Sequence, residues 1–242
     1  MNVAARSCGP RFSPLGQWNQ VPATAVQKEL RATFARWGIP QRFRVDNGCP
    51  WGSQGDLPPE LALWLIGLGV EMTWNPPRRP QDNGVVERSQ GTGRRWAEPA
   101  TCRSASELED RLREMDRIQR EEYPSVQGRS RLEAYPALAQ SAQAYNSGWE
   151  RRHWSLPRVA EHLAAYAVPR RVDRKGLLSL YNRSCYVGKQ HGGKLVHVTF
   201  DPLRLEWLFL DDAGQHLRSH PAPEISRERI IKLQVMNRRS RK

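Results

Sequence analysis

Two acids stand where short runs of sequence could bring them to one substrate. Asp46 closes the alternating stretch Phe43-Arg44-Val45-Asp46 and is followed by Asn47-Gly48, a turn. Glu87 lies in Gly84-Val85-Val86-Glu87-Arg88, the first turn of a helix entered from the loop Pro80-Gln81-Asp82-Asn83. A carboxylate at the C-terminal end of a strand, beside a second one on a helix, suits metal-assisted phosphoryl transfer. Hard divalent cations take oxygen ligands, so such a centre needs acids converging from separate elements. Asn47 or Asn83 could hydrogen-bond those acids and hold their rotamers, and Gly48 supports a tight turn. Either motif by itself is an ordinary turn or an ordinary surface acid.

The elements around the acids are legible from apolar spacing. Thr24 and Gln27 predict a capping box, followed by a helix with Val26, Leu30, Phe34 and Trp37 on one face. Arg42 to Asp46 alternates as a strand. Pro58-Pro59 opens a helix that is apolar nearly all round, from Leu61 to Leu68, and so is expected to be buried. Val70 to Trp74 reads as a second strand, and the order helix–strand–helix–strand implies a parallel pair. The helix beginning near Gly84 is expected to weaken at Gly91 and Gly93, which cost about 1 kcal/mol each relative to Ala. Ser104 and Glu107 predict another cap, ahead of the apolar face Leu108, Leu112 and Met115. A last helical stretch is expected from about Pro157 to Tyr166. From Pro169 the period changes to short alternating runs separated by turn residues, which suits a small antiparallel barrel.

Lys and Arg outnumber Asp and Glu by 38 to 25, for a net charge of +13. Such a surface favours a polyanionic partner, because each neutralised phosphate releases counterions. The cysteines, Cys8, Cys49, Cys102 and Cys185, form no CxxC pair, which argues against a common zinc site and against a disulfide scaffold. Neither a signal peptide nor a membrane-spanning run is expected, so the chain reads as a cytoplasmic protein with no membrane partner.

The blocks Phe34-Ala35-Arg36-Trp37-Gly38-Ile39-Pro40, Val45-Asp46-Asn47-Gly48, Pro77-Arg78-Arg79-Pro80-Gln81-Asp82-Asn83-Gly84 and Val86-Glu87-Arg88 occur in that order. Together they resemble the catalytic core of the Asp-Asp-Glu integrase and transposase superfamily, nearest to insertion-sequence transposases. The resemblance implies a ribonuclease-H-like α/β core and DNA integration by metal-dependent strand transfer. It makes Asp46 and Glu87 the second and third catalytic acids and ligands of Mg²⁺ or Mn²⁺, supported by Asn47, Gly48, Asn83, Gly84 and Arg88. The implied partners are DNA, at both transposon ends and target, and further copies of the chain. The strands after Pro169 more weakly resemble the small SH3-like barrels that follow some transposase cores.

One part of the pattern is missing. The family's first acid lies on an upstream strand, yet no Asp or Glu precedes Glu29. The expected fold is therefore an incomplete ribonuclease-H-like core lacking its first three strands, followed by a small all-β barrel. Its divisions are a disordered or non-native lead-in at 1–21, the partial core at 22–135, a helical linker at 136–168, the barrel at 169–221, and a C-terminal helix with a basic tail at 222–242. A displaced start codon, a frameshift and a decayed element would each leave this pattern. The expected function is that of an inactive transposase fragment. The alternative is a non-catalytic DNA-binding or oligomerising protein that modulates an intact transposase. Arg78, Arg79, Arg94 and Arg95 are expected to meet DNA phosphates, and Trp51 is expected to contact DNA from the loop after Asp46.

Overall fold

In the first long helix, α1 (Ala23–Trp37), Leu30 and Phe34 turn inward, as their spacing predicts. The computed structural model describes residues 11–12, 18–19, 21–53, 55–76, 84–139 and 143–236. Ahead of α1, β1 (Arg11–Phe12) pairs antiparallel with β2 (Trp18–Asn19), a short ladder inside the expected lead-in. The expected Thr24 capping box does not form: Pro22 occupies the N-cap, with no side-chain cap. Gln27 is buried instead and donates from Nε2 to the Ile231 carbonyl at 3.1 Å.

β3 (Arg42–Val45) and β4 (Glu71–Trp74) pair in parallel, with Arg42 opposite Glu71 and Val45 opposite Trp74. Phe43 and Val45 are buried while Arg42 and Arg44 face water. The crossover between these strands contains α2 (Glu60–Gly67), in which every residue is buried. Each buried leucine there contributes about 1.5–3 kcal/mol, which no polar residue at the same position could match. Gly69, at φ +88°, takes the chain out of the helix towards β4.

α3 (Gly84–Ala97) runs unbroken through Gly91 and Gly93. The expected weakening at Gly93 has a packing counterpart: a Cβ there would stand 3.3 Å from the Met115 methyl, so glycine lets α3 approach α4 (Ala105–Glu121) closely. Ser104 caps α4 by accepting from the Glu107 amide, as expected. The Arg120 guanidinium lies 3.6 Å from the centre of the Trp37 ring and ties α4 to the end of α1. Three short helices follow: α5 (Arg131–Ala134), α6 (Ser147–His153) and α7 (Leu156–Ala164).

Beyond α7 the chain is almost entirely β-structure. The strands are β5 (Val168–Arg171), β6 (Leu177–Leu180), β7 (Arg183–Tyr186), β8 (Leu195–Asp201), β9 (Glu206–Leu210) and β10 (His216–Pro221). They form an antiparallel four-stranded sheet in the order β10-β9-β8-β5, with β6 and β7 as a separate hairpin. Tyr181 and Asn182 turn that hairpin with φ of 46° and 63°. Among the described residues the ladders do not close, so the expected barrel is an open sheet and a hairpin. No strand of this region joins the β3–β4 pair. The short α8 (Arg227–Ile231) is the last element, and the basic tail from Arg238 lies outside the described residues.

One apolar cluster nonetheless runs from Ala23 to Val235. Trp154 lies flat against Gly67, where a Cβ would fall 2.1 Å from its ring, and donates from Nε1 to the Trp64 carbonyl at 3.0 Å. Tyr181 donates to the Pro58 carbonyl at 2.7 Å, and Arg170 pairs with Asp56. The buried Glu60 carboxylate, at the start of α2, accepts from the Val235 and Met236 amides at 3.1 and 3.3 Å. Among the described residues no helix is long and apolar enough to cross a membrane.

Candidate nucleic-acid interface

Asp46 sits where the sequence places it, exposed and immediately after the last residue of β3. The end of that strand is held by Asn75, a residue not singled out from sequence. The Asn75 amide donates to the Val45 carbonyl at 2.8 Å, continuing the β3–β4 ladder by one residue. Its Oδ1 accepts from Arg44 Nε at 2.5 Å, and its carbonyl accepts from Asn47 Nδ2 at 2.6 Å. Asn75 is 5 % exposed, while its side-chain partners Arg44 and Asn47 lie at the surface. Asn47 thus fixes the turn after Asp46 by bonding to the neighbouring strand.

The turn closes on itself. Gly48 and Gly52 exchange two backbone hydrogen bonds, at 2.7 and 2.8 Å, around Cys49, the cis-linked Pro50, and Trp51. Trp51, expected as a DNA contact, is a core residue. It is 5 % exposed, its ring lies 5.4 Å from that of Phe43, and its carbonyl accepts from Trp74 Nε1 at 2.8 Å. A bulky ring beside the strand's apolar side is worth more in the core than in water, and that overrides its place in a polar loop.

Glu87 and Gly84 lie on the described backbone of α3, within its first turn. The Glu87 side chain is outside what the structure describes, as are Arg78, Arg79 and Asn83. Arg88, Arg94 and Arg95 are exposed on α3. Among the described residues no three His, Cys, Asp or Glu side chains gather as a metal site. Against the three acids of the resembled site, Asp46 and Glu87 are the two that this sequence matches.

A second basic cluster was not singled out from sequence. Between 170 and 194 stand Arg170, Arg171, Arg174, Lys175, Arg183, Lys189 and Lys194, against the lone acid Asp173. The turns that carry them are knitted together. Val172 donates to the Lys194 carbonyl at 3.0 Å, Gly193 to Val172 at 2.9 Å, and Val187 to Gly176 at 2.8 Å. A Cβ on Gly176 would fall 2.5 Å from the Gly188 backbone, so only glycine admits this approach. Asp173 Oδ1 accepts from the amides of Lys175 and Leu177, both at 2.8 Å, and is committed to shaping the turn. Arg170 is taken by Asp56, which leaves Arg171, Arg174, Lys175, Lys189 and Lys194 exposed together. Arg170, Arg171, Arg174 and Lys175 form a visible basic run, but Lys189 and Lys194 join them only through the turns that bring the chain back.

A buried charged group lies elsewhere. Glu150 accepts from Arg31 Nε and Nη2 at 3.0 and 2.7 Å, from Trp64 Nε1 at 3.0 Å, and from the Tyr145 hydroxyl. Burial pushes its carboxyl up, but the bonds from Arg31, Tyr145 and Trp64 outweigh that and hold it below the ordinary glutamate value. Burial and the same carboxylate push the Tyr145 hydroxyl up. With Arg31 closing the set, this network joins α1, α2 and α6 and is structural in its placement.

No protein-family model matches this chain.

Proposed function

We propose that this chain binds DNA along its phosphate backbone, as a relative of the strand-transfer enzymes whose own two acids do not complete a catalytic centre. DNA binding is carried by one observation: the turns around β5, β6 and β8 gather Arg171, Arg174, Lys175, Lys189 and Lys194 on the surface with one committed acid among them. Backbone phosphates are the ligand that repeated, unpaired cations suit best. The kinship rests on the resemblance of the Asp46 and Glu87 blocks, and the parallel β3–β4 pair with Asp46 at its end is compatible with it. In this reading β3, β4 and helices α1 to α3 are part of a ribonuclease-H-like core. The C-terminal sheet and hairpin are then an SH3-like barrel whose ladders stay open.

The test is fluorescence anisotropy on a duplex across rising salt. Each phosphate contact contributes about 0.9 to the slope of log affinity against log salt. Replacing Arg171, Arg174, Lys175, Lys189 and Lys194 with glutamine is expected to weaken binding on every sequence and flatten that slope by several units. Salt-independent binding, or a slope untouched by these substitutions, overturns the proposal.

A further inference from the structure

Trp96 and Tyr123 are 43 % and 50 % exposed, yet they meet edge to face with ring centres 5.9 Å apart. Their position follows from the packing of α3 on α4. Gly93 and Ala97 are buried, Gly93 against Met115, and Arg111 Nη1 donates to the Ala97 carbonyl at 3.3 Å. Trp96 therefore flanks the seam between the helices, while Tyr123 lies just past the end of α4. Two large rings share one wet corner, each with a face open to solvent.

The charges around that corner indicate what would cover it. Most acids of α4 pair with its own arginines: Glu107 with Arg111, Glu109 and Asp110 with Arg113, Glu114 with Arg117 and Glu121 with Arg120, while Glu122, just past the helix, also pairs with Arg117. Arg88, Arg94 and Arg95 on α3 are exposed, and none forms an ion pair among the described residues. Surplus positive charge thus lies on the helix that carries Trp96, with Glu98 the exposed acid just past its end. An apolar protein surface would cover the rings but leave these cations without partners. An unpaired nucleotide satisfies both, its base on a ring and its phosphates on the guanidiniums.

We propose that Trp96 and Tyr123 form a stacking platform for unpaired bases in single-stranded or frayed DNA, with Arg94 and Arg95 holding the adjoining phosphates. This rests on the DNA-binding reading above and adds a preference for unpaired strands. Stacking reads no sequence, so the preference is for structure rather than for particular bases.

The full chain is titrated with three labelled DNAs: a blunt duplex, the same duplex with a short unpaired flap, and a single strand. Trp96→Ala with Tyr123→Ala is expected to lower affinity for the flap and the single strand by roughly tenfold or more, leaving the blunt duplex unchanged. Trp96→Phe with Tyr123→Phe is expected to restore most of that loss, because the rings remain. Arg94→Gln with Arg95→Gln is expected to reduce the single-strand salt slope by about 1–2 units. In the unaltered protein, tryptophan emission is expected to be quenched by the single strand, and less so in Trp96→Phe. Equal losses on all three DNAs, or no loss on any, overturn the platform while leaving duplex binding intact. Sedimentation that shifts to a smaller species in the alanine variant also overturns it, by making the corner a contact between copies. Failure of the unaltered chain to bind the blunt duplex overturns the DNA-binding reading itself, and the platform with it.

Discussion

The side-chain amide of Asn47 donates to the backbone carbonyl of Asn75 at 2.6 Å, joining the turn after one parallel strand to the end of the next. Asn75 in turn accepts from Arg44 and donates to Val45, so one buried side chain and its own backbone hold the strand end that presents Asp46. Asp46 therefore stands on an anchored turn.

Substitution of Asn75 measures that anchoring. Asn75→Ala removes the acceptor for Arg44 but keeps the backbone bonds to Val45 and Asn47, at a cost of about 1 kcal/mol. The check is a urea titration, with the midpoint falling and the slope unchanged. An unaltered midpoint would show that the Arg44 bond contributes nothing net.

Trp51→Ala separates packing from recognition. Removal of a ring buried against Phe43 is expected to cost about 3–5 kcal/mol. Duplex affinity, measured at a temperature where the variant stays folded, is expected to be unchanged. A selective loss of DNA binding with full stability would return Trp51 to the interface.

Acid should weaken the fold through Glu150. Its folded pKa lies below the ordinary glutamate value. Its contribution is therefore fully present above that ordinary value and is lost as pH falls through the folded one. Glu150→Gln is expected to cost about 3 kcal/mol near neutrality, since Arg31 loses its charge partner. Denaturant midpoints of variant and parent are expected to converge as pH falls below the usual carboxylate range. A constant gap across that range would refute the assignment.

Two glycines should respond with opposite signs. At Gly67 a methyl group would fall 2.1 Å from the Trp154 ring, so Gly67→Ala forces repacking and is expected to cost about 2–3 kcal/mol. At Gly91, within α3, an added methyl meets nothing within 4 Å, and Gly91→Ala is expected to stabilise by about 0.5–1 kcal/mol. Thermal melts of the two variants, run side by side, decide the matter.

Strand cleavage tests catalytic competence. The chain alone, with Mg²⁺ or Mn²⁺ and element-end DNA, is expected to bind without cutting, because two carboxylates leave a metal pair under-liganded. Metal-dependent cleavage abolished by Glu87→Gln would falsify that expectation.

Legibility in the sequence followed the strength of the local pattern. The parallel pair could be read because Phe43 and Val45 alternate with arginines, and α2 because its run is apolar all round. β5 and β10 were hard to see, because Pro169, Arg170 and Arg171 in one and His216, Arg218 and Pro221 in the other interrupt the apolar signal. Trp51 was misplaced because a Gly- and Pro-rich loop looks wet until its partner Phe43 is known. Gly93 looked like a weak point because propensity describes the helix alone, whereas the glycine serves a neighbouring helix. Asn75 carried no local signal, since its bonds to Arg44, Val45 and Asn47 reach across to the other strand.

The bond from Tyr181 to Pro58 has an evolutionary corollary. Cassettes exchanged by recombination must part cleanly at their borders. A donor sequence replacing the strands after Ala164 would have to supply a partner for the Pro58 carbonyl in place of Tyr181 and amides for Glu60 in place of those at Val235 and Met236. These contacts are made by side chains far apart in the gene, so new combinations would need matched changes at both ends. Descendants of this chain should accordingly diverge by substitution while keeping the two halves as one inherited block.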